Sequence, residues 1–166
     1  MVSINPFAEF RAGCEIALKD ALNRLYPKIS MPSILLESPP SPEFGELASS
    51  VCFELAKQTK KKPRETAEQI VQVIDVSRSP LILSVKAAGE GYINFYVKFE
   101  EFSRLTLESV MALDNDYGYV KTSKPKKIIV EHTSVNPIHP IHIGQARNPM
   151  LGDALARILK AHGHMV

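Results

Sequence analysis

Residues 127–164, KIIVEHTSVNPIHPIHIGQARNPMLGDALARILKAHGH, decide how the chain is to be read. Lys127–Glu131 (KIIVE) is a short apolar run with charged ends, the pattern of a strand buried on both faces. The loop HTSVNPIHPIHIG follows, broken by Pro137 and Pro140. An amphipathic helix is predicted to start near Gln145–Pro149, with Leu151, Ala154, Leu155, Ile158 and Leu159 on its inner face. Strand, loop, helix is the opening unit of a parallel α/β domain. One strand and one helix cannot cover both faces of a buried parallel strand. The expectation is that the chain is the front part of a longer polypeptide, or else a small protein that completes its sheet by self-association.

Upstream, Asn5–Tyr26 places Phe7, Phe10, Cys14, Ala17, Leu18, Ala21, Leu22 and Leu25 at threes and fours, one stripe of a helix that Pro27 ends. Ser30–Glu37 reads as a short strand, and Ser38–Gly45 (SPPSPEFG) as a loop, since three prolines remove donors and fix φ. Glu46–Lys60 has helical spacing. Pro63 opens a second helix running to about Ile74. Leu81–Ala87 and Tyr92–Val97, separated by Gly89-Glu90-Gly91, form a predicted hairpin. Alternation along the second strand puts Tyr92, Asn94 and Tyr96 on one face and Ile93, Phe95 and Val97 on the other. Phe99–Leu113 is helical again. Residues 1–113 thus make an α+β domain, 114–126 (DNDYGYVKTSKPK) a linker, and 127–166 the incomplete start of a second domain.

With 166 residues, 45% of them hydrophobic and 23% charged, the chain is neither a disordered tail, a collagen-like fibre nor a disulfide scaffold. Cys14 and Cys52 are too few and too far apart for a disulfide framework or a metal motif, and read as core residues of a reduced protein. No basic-then-apolar leader and no apolar run near ~18 residues is present, so no membrane association is expected and a cytoplasmic location follows. The net charge of +2 is a cancellation. Residues 57–64 (KQTKKKPR) carry +5, and residues 121–166 hold seven basic and two acidic groups, again +5, which leaves the remainder at −8. Two basic segments can face one polyanion.

The densest chemistry lies between Glu131 and Arg147: one acid, His132, His139, His142, Ser134, Asn136, Gln145 and Gly144, between a strand end and a helix start. In an open α/β sheet that crevice binds ligands, and the helix N-terminus offers free amides to an anion. His139 and His142 have no third ligand at a recognised spacing, so no metal site is predicted.

The segment Pro140-Ile-His-Ile-Gly-Gln resembles the HIGH signature of class I aminoacyl-tRNA synthetases, and VEHTSVNPIHPIHIGQARNPMLGDALARILKAHGH is similar to arginyl-tRNA synthetases in particular. FGELASSVCFELAKQTKKKPRETAEQI and VKAAGEGYINFYV resemble the N-terminal domain of the same family. The resemblance implies a Rossmann-like α/β catalytic domain after the α+β domain. It also implies ATP-dependent activation of arginine, with Mg2+ in the ATP complex and no tightly bound cofactor, and transfer of the arginyl group to tRNA-Arg. His142 matches the first signature His and, with His139, Gly144 and Gln145, falls to ATP. His142 and Gln145 are the candidate catalytic residues, while Glu131, Ser134 and Asn136 fall to arginine.

Two positions depart from the family pattern. Gln145 stands where a second His is usual, keeping a neutral donor that cannot become cationic. His139 stands where Lys is frequent. On the N-terminal domain, Tyr92 and Asn94 match positions that meet a base in the tRNA D-loop, and Lys60, Lys61 and Lys62 become phosphate contacts. By itself the 166-residue chain is expected not to aminoacylate. The alternative is a free-standing RNA-binding module or a truncated synthetase paralogue without catalysis.

Overall fold

In a computed structural model of the chain, residues 3–120, 122–134, 138, 140 and 142–166 are described. They form two compact units, Met1–Ala112 and Leu113–Val166. The expectations at Asn136 and His139 lie outside the described residues.

The first unit begins with α1 (Pro6–Leu25), where the Asn5 side chain accepts a hydrogen bond from the Ala8 amide at 3.0 Å and Pro6 occupies the first turn. Both features favour helix initiation, because the first-turn amides have no partner within the helix. Its buried stripe is Phe10, Cys14, Ala17, Leu18, Ala21 and Leu22. Next come β1 (Leu36–Glu37), β2 (Leu47–Ser49), α2 (Val51–Thr59), α3 (Pro63–Val73), β3 (Ile82–Ala88), β4 (Tyr92–Val97) and α4 (Phe99–Leu113). The sheet runs β1-β2-β4-β3, antiparallel throughout. Helix α3 packs against both α1 and α2 and onto β3 and β4, with α1 also on β3 and α2 on β4. The register opposes Leu47 to Phe95 and Ser49 to Ile93, and all four are fully buried in a core with Phe10, Leu18, Leu22, Leu55 and Ile70.

Two predicted elements of this unit change. The strand expected over Ser30–Glu37 keeps only Leu36 and Glu37, because only these find partners, in Ser49 and Ala48. The helix expected from Glu46 starts at Val51. Leu47-Ala48-Ser49 alternate buried, half-buried, buried and pair with β4, so long-range pairing overrides a local helical pattern. The second hairpin strand and α4 occur over the predicted ranges, while the first strand is shifted by one residue, to Ile82–Ala88, with the turn at Gly89–Gly91.

In the second unit α5 spans Ile143–Ala161, starting before the predicted Gln145 because His142 caps it. The expected strand Lys127–Glu131 is reduced to one parallel bridge, Lys127 to Met165, in which Ile128 N donates to Met165 O at 2.8 Å and Met165 N to Lys126 O at 3.0 Å. Parallel pairing across an intervening helix is the crossover of a strand–helix–strand unit. The described residues supply no other strand beside it, so the ladder stops at one bridge. The helix face expected inside is open to solvent: Leu151 is 63% and Ile158 64% exposed. No helix among the described residues is long and apolar enough to cross a membrane.

Candidate functional site

The sheet face of the first unit that α1–α3 leave uncovered carries a cross-strand row. Glu37 pairs with Ala48, Ala48 with Asn94 and Asn94 with Lys86. Asn94 therefore points away from the core, as alternation predicts, yet it is only 3% exposed. The reason is the proline-rich loop. Tyr96 Oη donates to the Glu43 carbonyl at 3.2 Å and Glu46 N to the Phe95 carbonyl at 3.0 Å, fastening the loop along β4.

The result is a cavity of about 380 Å³ walled by Pro39, Pro40, Phe44, Ala48 and Tyr92, with Asn94 at its floor. Asn94 Oδ1 is buried without a hydrogen-bond partner. A buried polar atom left unsatisfied costs about 1–3 kcal/mol, so the pocket is complementary to a ligand donor. Tyr92, 46% exposed, stands at the rim with its ring 5.1 Å from that of Phe53 in an edge-to-face pair that sets its orientation. Sequence reasoning found Tyr92 and Asn94 but missed Pro39, Pro40 and Phe44; their signal was the density of prolines, which stiffens a loop into a wall.

The basic loop adjoins this pocket. Lys60 takes the left-handed conformation that ends α2 (φ 57°), and Lys60, Lys61 and Lys62 are all exposed. Lys61 Nζ donates to Gln69 at 3.2 Å and Lys62 lies 3.9 Å from Glu65, contacts weak enough to exchange for phosphate. Gly91, buried in the hairpin turn, packs so closely on Pro63 that a side chain there would put its Cβ 2.6 Å from the proline ring. That contact holds the lysine loop beside the residue preceding Tyr92.

A larger cavity, about 610 Å³, lies between α1, the Asp75–Leu81 turn and α4. Of its two cations, Arg78 and Arg104, the latter is committed to Glu101 and Glu108 at 3.1 and 2.6 Å. It contains none of the residues singled out above and no orphaned polar atom. Elsewhere in this unit, burial pushes the Cys14 and Cys52 thiols up to about 12, as expected of inert core residues.

In the second unit, His142 and Gln145 form a reciprocal cap on α5. His142 Nδ1 accepts from Gly144 N at 3.1 Å, and Gln145 Oε1 accepts from His142 N at 3.3 Å. Because Nδ1 is the acceptor, the proton of the neutral ring sits on Nε2, the outward nitrogen. The glutamine in place of a second histidine thus acts on the backbone, as the third-position Gln or Glu of a capping box does. Glu131, Ser134 and Gly144 are exposed. His132 is half-buried, with Nδ1 2.8 Å from Thr133 Oγ1. Among the described residues no three His, Cys, Asp or Glu side chains converge on a metal-sized site.

Residues 14–97 match the arginyl-tRNA synthetase N-terminal domain, and residues 106–166 match the class I tRNA synthetase (R) catalytic domain. The chain belongs to the arginyl-tRNA synthetase family. Among curated members, the arginine–tRNA ligase of Thermococcus sibiricus is 45% identical over 133 residues, covering 80% of this chain and 21% of the relative. That of Thermococcus kodakarensis is 36% identical over 163 residues, covering 96% and 25%. The chain therefore spans about a fifth to a quarter of these curated relatives. The arginyl-tRNA synthetase structure from Thermus thermophilus superposes with a TM-score of 0.56 at 27% identity, over 93% of this chain and 24% of that one. The Plasmodium falciparum arginyl-tRNA synthetase shares the fold at 14% identity, with a TM-score of 0.55 over 87% of this chain and 27% of that one. An α+β N-terminal domain followed by the start of a Rossmann-like catalytic domain is thus the family architecture of this chain.

Proposed function

We propose that the chain works as part of an arginine–tRNA ligase, its first unit gripping tRNA-Arg by a D-loop base and its second bearing the nucleotide signature of the catalytic domain. The observation that carries the RNA half is the buried, unpartnered Oδ1 of Asn94 on the floor of a pocket rimmed by Tyr92. An unpaired base fits such a site by stacking on the aromatic rim while its edge donates to the amide, the usual way of reading single-stranded RNA. Lys60, Lys61 and Lys62 take the adjoining phosphates.

In the catalytic half, the arginine carboxylate attacks the α-phosphorus of the ATP–Mg2+ substrate complex and the bond to pyrophosphate breaks. The terminal ribose hydroxyl of the tRNA then attacks the activated carbonyl and adenylate leaves. Proteins serve such displacements by positioning and by stabilising charge on phosphate oxygens. His142 is suited to this through its Nε2 proton, which its cap turns outward, and His139 adds a further polar group to the ATP side. Gly144 leaves room for the adenosine, and Gln145 holds the His142 backbone. Glu131, with Ser134 and Asn136, takes the charged ends of arginine. The continuous match through residues 106–166 favours this reading over a free-standing RNA-binding module. The cytoplasm, where translation substrates meet, is its place of action.

Gel-shift titration of labelled tRNA-Arg with the 166-residue chain at two salt concentrations tests the RNA half. The unmodified chain is expected to bind in a salt-dependent manner, and Tyr92→Ala and Asn94→Ala to weaken binding about tenfold each, in line with ~1–3 kcal/mol per stacked base. Undiminished binding by both variants would sink the assignment.

A second reading concerns the chain by itself. With Ile129 89%, Leu151 63% and Ile158 64% exposed in the second unit, self-association is favoured. Sedimentation should show weight-average mass rising with concentration, and a concentration-independent monomer would contradict it.

A further inference from the structure

We infer that Gly152 is a positioning residue for the arginine site, a notch in α5 into which the root of the His132 side chain is pressed so that Glu131 and Ser134 are held at a fixed height along the helix. This rests on the assignment of Glu131 and Ser134 to arginine made above. The observation is steric. Gly152 is the one buried residue of α5, whose apolar side chains Leu151, Leu155 and Ile158 are exposed. A methyl group at position 152 would collide with His132 Cβ and Cγ and lie 2.9 Å from Cδ2. The obstruction is thus first with the root of the histidine side chain, close to the main chain, and only second with its ring.

Residue 132 is flanked by the proposed arginine ligands, and its ring is tied to the next residue through Thr133 Oγ1 at 2.8 Å. Upstream the same segment is fixed by the Lys127–Met165 bridge. Gly152 lies ten residues beyond the cap at His142, about 15 Å along a helix rising 1.5 Å per residue. Contact at the notch therefore sets the distance between the carboxylate end of the site and the phosphate end. Pro149, inside α5, removes one amide donor about one turn before the notch.

The geometry makes an unusual rescue prediction. Replacing Gly152 by Ala pushes the 131–134 segment off the helix. Replacing His132 by Ala as well leaves Cβ in place and should not help, whereas His132→Gly removes the atom in the way and should. The activity test is arginine-dependent ATP–pyrophosphate exchange, run with tRNA-Arg present, by the whole synthetase carrying this chain. Gly152→Ala is expected to raise the KM for arginine on the order of tenfold or more, as misplacement by an ångström does, with the KM for ATP little changed. Gly152→Ala/His132→Ala should behave like the single variant, and Gly152→Ala/His132→Gly should recover most of the loss.

The parallel test needs no activity: in amide spectra of the 166-residue chain, Gly152→Ala should shift residues 131–134, and only His132→Gly should return them. An unchanged arginine KM in Gly152→Ala would overturn the inference. So would equal rescue by Ala and Gly at 132, or a parallel loss in both KM values that no change at 132 repairs. Absence of arginine-dependent exchange in the unmodified enzyme would instead sink the underlying reading, and the amide spectra would still decide whether the notch holds the segment.

Discussion

Asn94 illustrates how far a single residue can be read. Its strand parity is legible from YINFYV, but its burial is not, because the loop that covers it is brought in from residues 38–44 by contacts no local pattern contains. Gln145 is similar. As a letter it is a departure from a signature, whereas its hydrogen bond to His142 N makes it the reciprocal half of a helix cap. Gln145→Ala should therefore cost about 1 kcal/mol of helix-start stability and speed amide exchange at His142–Ala146, with Gln145→Glu close to the unmodified chain. Equal exchange in Gln145→Ala and the parent would contradict the cap.

The buried thiols contribute to the alkaline pH behaviour, beside Tyr26, whose phenol burial also pushes up. Burial raises Cys14 and Cys52 from 9.0 to about 12 in the folded chain, so the native state keeps protons that the unfolded state gives up. Their contribution is complete below about pH 9 and is lost as pH rises toward 12. Denaturant midpoints should fall over that window, and less steeply in Cys14→Ala/Cys52→Ala. A slope unaffected by removing both thiols would contradict the assignment.

At the scale of elements, the helices and the hairpin were legible because each is specified by its own period and punctuation: Asn5 and Pro6 before α1, Pro63 before α3, Gly89–Gly91 between β3 and β4. The short strands were not. β2 is three residues inside a helical pattern, and β1 is two residues that exist only by pairing with β2. The loop between α2 and α3 carries three exposed lysines in a row, Lys60, Lys61 and Lys62. If Lys60, Lys61 and Lys62 meet phosphates, changing all three to Ala should lower the slope of log affinity against log salt by ~0.7–0.9 for each phosphate no longer neutralised. A slope unchanged in the triple variant would assign these lysines to solvent.

For the whole molecule, charge arithmetic alone is misleading, since +2 overall conceals an exposed basic loop in the same unit as a pocket floored by the unpartnered Asn94 amide oxygen. Family membership was legible in the signature and in the YINFYV strand. The packing of His132 on Gly152 was not, because two residues twenty positions apart gave no pattern until α5 was laid against the segment 131–134.

The central claim is that a single unpaired base of tRNA-Arg seats on Asn94. The most direct measurement is a double-mutant cycle: affinities of the unmodified chain and of Asn94→Ala for tRNA-Arg and for the same tRNA made abasic at the unpaired D-loop position. Each change alone should weaken binding about tenfold, and the two together should do no more than either one. Fully additive losses, or an abasic tRNA that binds the unmodified chain as well as the intact one, would contradict the account.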